Sequence, residues 1–356
     1  MNSESKQKNT SLKKVFVAMS GGVDSSMAAK LLRDQGYEVV GVYFDLQKNN
    51  GQDWQMVKRV CASLGVKCAK VNFVREFRQE VIDYFCDSYA RGQTPNPCVV
   101  CNRQIKFGLF WRWAKEQGAD LIATGHYARL RQEFSIFNLY RGKDKEKDQS
   151  YFLYRLTQKD LKHILFPLGD YTKKEIIELA KKHKLPNANK FSSQDVCFLS
   201  GKNLDEFLSQ KIKSVRVGKI KELETKKLLR HHRGLIFYTY GQRAGIGLAG
   251  GPWYVAEKDA RKNILYVTKN KKKLLSKKLT CRKLSWITDK KPESPRQIRA
   301  QIRYRSNPSQ VIISQSKKNK KDLRVVFAKA QYAIAPGQSV VFYQGEKVLG
   351  GGIISQ

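Results

Sequence analysis

Seven residues, Ser20-Gly21-Gly22-Val23-Asp24-Ser25-Ser26, separate the apolar run Val15-Phe16-Val17-Ala18-Met19 from a helical stretch, Met27 to Leu32, that closes at Gly36. A strand that turns through two glycines into a helix constrains the fold more than any other segment, because it builds a cradle for an anion. The glycines let backbone N–H groups approach closely, the helix N-terminus carries partial positive charge, and the serines add hydroxyl donors. An adenine nucleotide is the first ligand such a loop suggests. The spacing is neither GxxxxGK[ST] nor GxGxxG, and no lysine stands in the loop to reach terminal phosphates. A strand-turn-helix corner whose small residues serve only close packing would share this composition.

The loop opens a longer pattern. Between Lys14 and about Leu130, strand-like runs at Val15-Met19, Val39-Phe44, Val71-Phe73 and Leu121-Thr124 alternate with helical spacings. Trp54, Val57, Cys61 and Leu64 keep such a spacing, as do Phe77, Val81, Tyr84, Phe85 and Tyr89, and the segment Ile105 to Lys115 reads the same way. This predicts a doubly wound α/β domain with a mostly parallel sheet. Ligands of such sheets bind beyond the carboxyl ends of the strands, where the 20–26 loop, Phe44 and Gly125-His126 should converge. Thr172 with Glu175 forms a capping box for a helix that ends before Pro186. After about Ser209 the texture changes to glycine-rich turns and a hairpin, Trp253-Glu257 with Ile264-Thr268. Alternating strands at Gln297-Arg305, Gln310-Ser314, Leu323-Ala328 and Ser339-Tyr343 then suggest a C-terminal β-barrel. The expected division is a catalytic domain over 1–209, of which about 1–13 is a flexible tail, a small central β-rich domain over 210–272, and a barrel over 273–356. Residues 316–322 read as a solvated basic loop.

The formal net charge of +37 in 356 residues points to a polyanionic partner, nucleic acid first, although a lysine-rich proteome would produce part of the excess. Residues 271–356 hold 20 Lys and Arg against four Asp and Glu, which favours a basic face. Seven cysteines, an odd number, without a signal-peptide pattern suggest reduced thiols in the cytoplasm. No apolar run approaches the roughly 18 residues of a membrane span.

Two X-Pro steps in Thr94-Pro95-Asn96-Pro97-Cys98-Val99-Val100-Cys101-Asn102 place two thiols at a loop-to-helix junction. A helix N-terminus stabilises thiolate, which would make Cys101 a better nucleophile than a buried cysteine. Cys197 lies among polar residues, Ser192-Ser193-Gln194-Asp195-Val196-Cys197-Phe198, and can meet Cys101 only through the fold. Three readings follow. A CxxC pair is half of a zinc site, but no second half is evident. Cys98, Cys101 and Cys197 could hold a 4Fe-4S cluster with one open iron. In the preferred account, a sulfur relay, Cys197 carries a persulfide and Cys101 resolves it as a disulfide. Cys61, Cys68, Cys86 and Cys281 read as packing residues.

The loop resembles the pyrophosphatase loop (PP-loop), SGGxDS, of enzymes that cleave ATP between its α and β phosphates. The ordered set SGGVDSS, TPNPCVVCNRQIKFG, ATGHYARL, KDQSYFLY, SQDVCFL, TYGQRAGIGL and RYRSNP, spread over nearly the whole chain, resembles tRNA-specific 2-thiouridylases of the MnmA type. The resemblance implies ATP-dependent exchange of the C2 oxygen of the wobble uridine for sulfur. It implies ATP contacts at Ala18, Met19, Ser20, Gly21, Gly22, Val23, Asp24, Ser25, Phe44 and Gly125. Asn96, Pro97 and Cys98 would flank the flipped target base. Lys147, Asp148 and Gln149 would touch the tRNA, as would Arg303, Tyr304 and Arg305, which on one strand would offer two guanidinium groups to one backbone. Cys101 matches the family nucleophile and Cys197 the persulfide carrier. Many members carry aspartate where this chain has Cys98, and a thiol of pKa roughly 8.5 is no direct substitute for a carboxylate.

Further expectations are Mg²⁺, held through water by Asp24 unless that carboxylate caps the helix, and sulfur from a cysteine desulfurase or relay protein. The chain is expected to act as a monomer on the anticodon arm. His126 would contact the nucleotide or cap its strand. Two other classes share parts of this pattern. A PP-loop ligase or amidotransferase acting on a small carboxylate would not need Cys101 and Cys197, and a non-catalytic RNA-binding protein would not need the loop.

Overall fold

The computed structural model describes residues 12–47, 51–190, 196–199, 201, 203–292, 297–317 and 319–355. Residues 1–11 of the expected tail, Ser192 to Asp195 beside Cys197, and residue 318 of the basic loop lie outside these.

The first sheet has five strands in the order β3-β2-β1-β4-β7: β1 (Lys14–Met19), β2 (Glu38–Asp45), β3 (Lys67–Asn72), β4 (Leu121–Thr124) and β7 (Ile164–Leu165). Every pairing is parallel. Along β1, Phe16 enters one core while Val15, Val17 and Met19 enter another, so both faces are covered and the strand reads as a continuous apolar run. Helices α1 (Val23–Asp34) and α2 (Gln52–Leu64) realise the expected spacings, and α2 buries Val57, Val60, Cys61 and Leu64. The chain winds from β1 through β2 to β3, then returns to the other side of β1 as β4. This reversal opens a crevice at the carboxyl ends of β1 and β4.

Two long helices depart from α geometry. Residues 74–90 run α, then π over Arg78–Asp83, then α; residues 97–116 do the same, with the π stretch at Asn102–Leu109. The α-helical spacing read from the sequence does not anticipate these π stretches. The capping box is present: Glu175 N–H donates to Thr172 Oγ1 (3.2 Å) and Thr172 N–H to Glu175 Oε2 (2.6 Å), starting the helix Lys173–Lys182.

A four-stranded sheet follows, ordered β10-β11-β8-β9, from β8 (Gly218–Glu222), β9 (Leu228–His232), β10 (Tyr254–Asp259) and β11 (Ile264–Thr268). Its β10–β11 pair is the expected hairpin, with Tyr254 opposite Thr268. The remaining strands are β12 (Leu275–Trp286), β13 (Ile298–Gln301), β14 (Ser309–Gln315), β15 (Leu323–Tyr332), β16 (Ser339–Gln344) and β17 (Lys347–Ser355). Pairing of β12 with both β15 and β17 closes these six into a barrel. An extra hairpin, β5 (Ala128–Glu133) with β6 (Ile136–Arg141), joins the barrel sheet through Lys347 and Tyr140. The first core continues into the barrel through Val341, Tyr343 and Val348.

Two expectations are corrected. Strand β13 ends at Gln301, so Arg303, Tyr304 and Arg305 stand on a turn with Arg305 at φ 63°. Their side chains do not alternate as on a strand: Tyr304 packs on Phe152 (4.5 Å between rings), while the Arg303 guanidinium donates to Ala333 O. Cys68 is exposed and not a packing residue; Cys61 and Cys281 are buried and Cys86 is half-buried. No helix among the described residues is long and apolar enough to cross a membrane.

Candidate active site

The 20–26 loop leaves β1 at the crevice and turns into α1. Gly21 adopts φ +74°, and a Cβ there would meet the Asp53 carbonyl at 3.0 Å, so glycine is required on both counts. Gly22 occupies the N-cap. The Ser25 hydroxyl donates to Gly22 O (3.0 Å) and accepts from Ser20 N–H (3.2 Å), and the Ser26 hydroxyl donates to Gly22 O (3.1 Å). Both hydroxyls are buried and spend their protons on the loop itself, whereas Ser20 is exposed. The serines therefore hold the cradle's shape, where sequence reasoning expected added donors for the anion.

Three residues distant in sequence complete the cradle. Asn187, 2 % exposed, donates to Gly21 O (3.0 Å) and Ser26 Oγ (2.9 Å). Asp24 Oδ1 accepts from Tyr127 Oη (2.7 Å) and from Lys173 Nζ (2.6 Å). Asp24 thus does not cap α1. Burial, then the Asp24 charge, raises the Tyr127 pKa, so the phenol keeps its proton and donates. Gly125, at the end of β4, lies directly against the loop, for a Cβ there would approach Asp24 C and Ser25 N at 2.8 Å. Ala18 and Met19 end β1, Val23 opens α1, and Phe44 on β2 packs edge-on against Phe110 at 4.7 Å.

The thiol region stands at the same end of the sheet. Pro97 takes the first position of its helix, as its fixed φ and missing N–H favour. The loop before it is held from the barrel: Gln338 Nε2 donates to Thr94 O (3.0 Å) and Pro95 O (3.1 Å), and Thr94 N–H donates to Pro336 O (2.8 Å). Asn96 is buried and hydrogen-bonded to Tyr151, whose hydroxyl donates to Ser339 O.

Cys101 is 7 % exposed, and burial pushes its thiol up to about 12. This reverses the expected activation by the helix N-terminus, since desolvation outweighs the partial charge. Cys98 is half-buried and raised for the same reason. The Cys197 thiol is exposed to solvent yet ringed by enough protein to be raised too, as at the mouth of a cleft. Its neighbour Phe198 is anchored against Phe85 (5.0 Å) and Phe207 (5.3 Å).

One cation opposes all three shifts. Lys106 lowers the pKa of Cys98, Cys101 and Cys197, and disfavours protonation of His126. In a regular α-helix, side chains five apart diverge by about 140°. The π stretch, with its i→i+5 bonding, turns Lys106 back toward the face of Cys101. His126 is buried, its Nδ1 lies 2.7 Å from Thr124 Oγ1, and burial holds its pKa well below the ordinary range. It serves the strand end as a neutral ring.

The cluster reading does not fit this arrangement: among the described residues, no three His, Cys, Asp or Glu side chains converge closely enough to hold a metal ion. Of the residues expected at tRNA, Asp148 is buried and accepts from Arg141 Nε (2.6 Å), Gly142 N–H and Ser150 N–H. Gln149 Oε1 accepts from Tyr127 N–H, and Lys147 is half-buried. Sequence reasoning missed Lys106, Tyr127, Lys173, Asn187 and Gln338. Lys106 and Tyr127 lie within motifs and Lys173, Asn187 and Gln338 outside them, and nothing local singles any of them out.

Comparison with known proteins bears on the family and its domains. Residues 13–201 match the family model described as tRNA methyl transferase HUP domain, 205–269 its PRC-barrel domain, and 276–354 the aminomethyltransferase beta-barrel domain. The chain is 40% identical to tRNA-specific 2-thiouridylase MnmA 2 of Aliarcobacter butzleri, over 96% of this chain and 98% of that protein. It is 40% identical to the MnmA of Geobacillus thermodenitrificans, over 96% and 95%, and 43% identical to that of Polynucleobacter asymbioticus, over 96% of each. With that identity sustained across all three domains, the chain belongs to the tRNA-specific 2-thiouridylase family.

Proposed function

We propose that this chain is a tRNA-uridine 2-sulfurtransferase that adenylates the C2 oxygen of the wobble uridine with ATP and then replaces that oxygen with sulfur. The observation that carries the reading is the junction of the two half-sites: Gly125 touches the nucleotide loop, and His126 beside it shares the Lys106 field with Cys98, Cys101 and Cys197. Neither a carboxylate ligase nor an RNA-binding module requires such a junction. Nor does methyl or aminomethyl transfer, which the domain descriptions mention, require a loop for pyrophosphate cleavage.

The uridine O2 attacks the α-phosphorus of ATP and expels pyrophosphate, while loop N–H groups and the N-terminus of α1 stabilise the phosphate charge. Magnesium would neutralise further charge, and Asp24 would hold it through water. Asn96, Pro97 and Cys98, which follow the Thr94-Pro95 segment held by Gln338, border the base. The terminal sulfur of the Cys197 persulfide then attacks C2, after which Cys101 thiolate attacks Cys197 Sγ and the S–S bond breaks with its electron pair left on the C2 sulfur; in the other order Cys101 first frees that sulfur as sulfide, which attacks C2. AMP departs, a Cys101–Cys197 disulfide remains, and a dithiol reductant returns two electrons and two protons. A cysteine desulfurase or relay protein reloads Cys197. The basic barrel, including Arg303 and Arg305, binds the tRNA backbone of the anticodon arm together with Lys147. The protein acts as a monomer in the cytoplasm.

The test is single-turnover reaction of ATP, tRNA and persulfide-loaded protein, with 2-thiouridine and AMP measured together. Equal amounts of the two are expected. AMP formation without tRNA dependence would return the chain to the ligase class.

A further inference from the structure

Two thiols that the sulfur chemistry does not use stand side by side. Helix α2 carries Cys61 near its end, Gly65 at φ +61° reverses the chain, and β3 brings Cys68 back along the helix. Val66 N–H donates to Cys61 O (3.0 Å) and fixes the turn between them. In the parallel pair β2–β3, Cys68 stands opposite Gly41, so both residues address the same face of the sheet. The space that Gly41 leaves on that face is taken by sulfur: a Cβ there would meet Cys61 Sγ at 2.5 Å and Met19 Sδ at 2.6 Å. The Cys61 thiol donates to Met19 Sδ (3.6 Å) and is also reached by Cys68 through charge and a hydrogen bond. Cys61 is 1 % exposed, whereas Cys68, on the edge strand, is open to solvent. Burial, then Cys68, pushes the Cys61 thiol up to about 12, so it keeps its proton. Cys61 and Met19 belong to the core on one face of the sheet and Cys101 to the core on the other, which separates this pair from the sulfur-transfer thiols.

We infer that Cys61 and Cys68 are an oxidation site: peroxide joins them in a disulfide that withdraws Cys61 from Met19 and weakens the nucleotide loop into which Met19 leads. Cys68, the accessible thiol, attacks peroxide as thiolate; an S–O bond forms, the O–O bond breaks, and the departing oxygen leaves as hydroxide. Cys61 Sγ then attacks Cys68 Sγ of the sulfenic acid, and the hydroxyl leaves with the Cys61 proton as water. Two thiols have then given two electrons to one peroxide, which ends as two waters. In the disulfide Cys61 has no proton to donate to Met19 Sδ, and its sulfur is turned toward Cys68. Met19 is the last residue of β1, and the next residue, Ser20, donates its N–H to Ser25 Oγ (3.2 Å) within the loop. The effect on ATP rests on the reading of the 20–26 loop as a nucleotide site; the disulfide itself does not.

The full chain, first reduced and then treated with hydrogen peroxide, tests both parts by non-reducing peptide mapping and calorimetric ATP affinity. A Cys61–Cys68 disulfide is expected, with ATP weakened about fivefold or more and its affinity restored by dithiothreitol. Cys68→Ser, at an exposed position, should bind ATP within about twofold of the parent and lose the response to peroxide. A treated chain without the Cys61–Cys68 linkage, or with the linkage and unchanged ATP affinity, overturns the inference. So does a Cys68→Ser variant whose ATP affinity still falls with peroxide as in the parent, which would assign the response to Met19 oxidation or to the other thiols. Failure of the reduced chain to bind ATP would instead remove the nucleotide reading, and the peptide map would still decide whether the pair forms.

Discussion

The nucleotide cradle and the thiol centre lie at the same end of one sheet but are held by different forces. The cradle is contiguous in sequence and kept in shape by hydrogen bonds among Ser20, Gly22, Ser25 and Ser26, with Asn187 bracing it from outside. It is ready for an anion before one arrives. The thiol centre sets Cys101 and Cys197, 96 residues apart in sequence, in one electrostatic field, and desolvation raises both thiols although Cys101 is buried and Cys197 exposed. Preorganisation favours the phosphate step, while desolvation suppresses the sulfur step until Lys106 and the substrate complete the site. This division suits a reaction in which oxygen must be activated before sulfur can displace it.

The sharpest way to break the comparison is to disable one half and measure the other. Cys101→Ser and Cys197→Ser should each lower 2-thiouridine formation by about 10³-fold or more, while calorimetric ATP affinity stays within about twofold. Loss of ATP binding in either variant would mean that the halves are not separable. Next in size, Asn187→Ala leaves the buried Gly21 carbonyl without its donor. It should cost about 1–3 kcal/mol of stability in urea unfolding and weaken ATP by about tenfold, without slowing alkylation of Cys101.

Lys106→Met probes the other side. With the Cys101 pKa at about 12, its thiolate fraction should rise nearly tenfold per pH unit between about pH 7 and 10, and removal of Lys106 should slow iodoacetamide labelling several-fold throughout that range. An unchanged labelling profile would remove Lys106 from the thiol centre. The same raised pKa links stability to pH. Below about pH 8.5 both folded and unfolded thiols are protonated; above it the unfolded chain releases its proton first, so the urea midpoint should fall as pH rises toward the folded value of about 12. Cys101→Ala should flatten part of that slope. The smallest effect is expected of Tyr127→Phe, which removes one hydrogen bond from Asp24 while Lys173 retains the other, at a cost of about 1 kcal/mol.

Periodicity and punctuation made much of the architecture legible. Strands at Val15-Met19 and Leu121-Thr124, the Thr172–Glu175 cap and the β10–β11 hairpin follow from local rules that act within a few residues. The turn at Arg303 to Arg305 was misread as strand because its basic and aromatic alternation imitates a strand pattern; what ends β13 is tertiary, as Tyr304 folds back onto Tyr151 and Phe152. The attachment of β5 and β6 to the barrel sheet, far along the chain, has no local signal at all. The π stretch that aims Lys106 is equally silent in sequence.

By itself, the sequence determined the cradle. Two glycines, an N-terminal helix turn and hydroxyls that bond within seven residues set the shape of the loop, because those hydrogen bonds are local. Only the tertiary structure decided what completes the site: Asn187, Tyr127 and Lys173 around the loop, Gln338 on the Thr94 and Pro95 carbonyls, and Lys106 among the thiols. Their effects arise from burial and from charges brought within a few ångströms. Those quantities belong to positions in space, and one-dimensional spacing does not carry them.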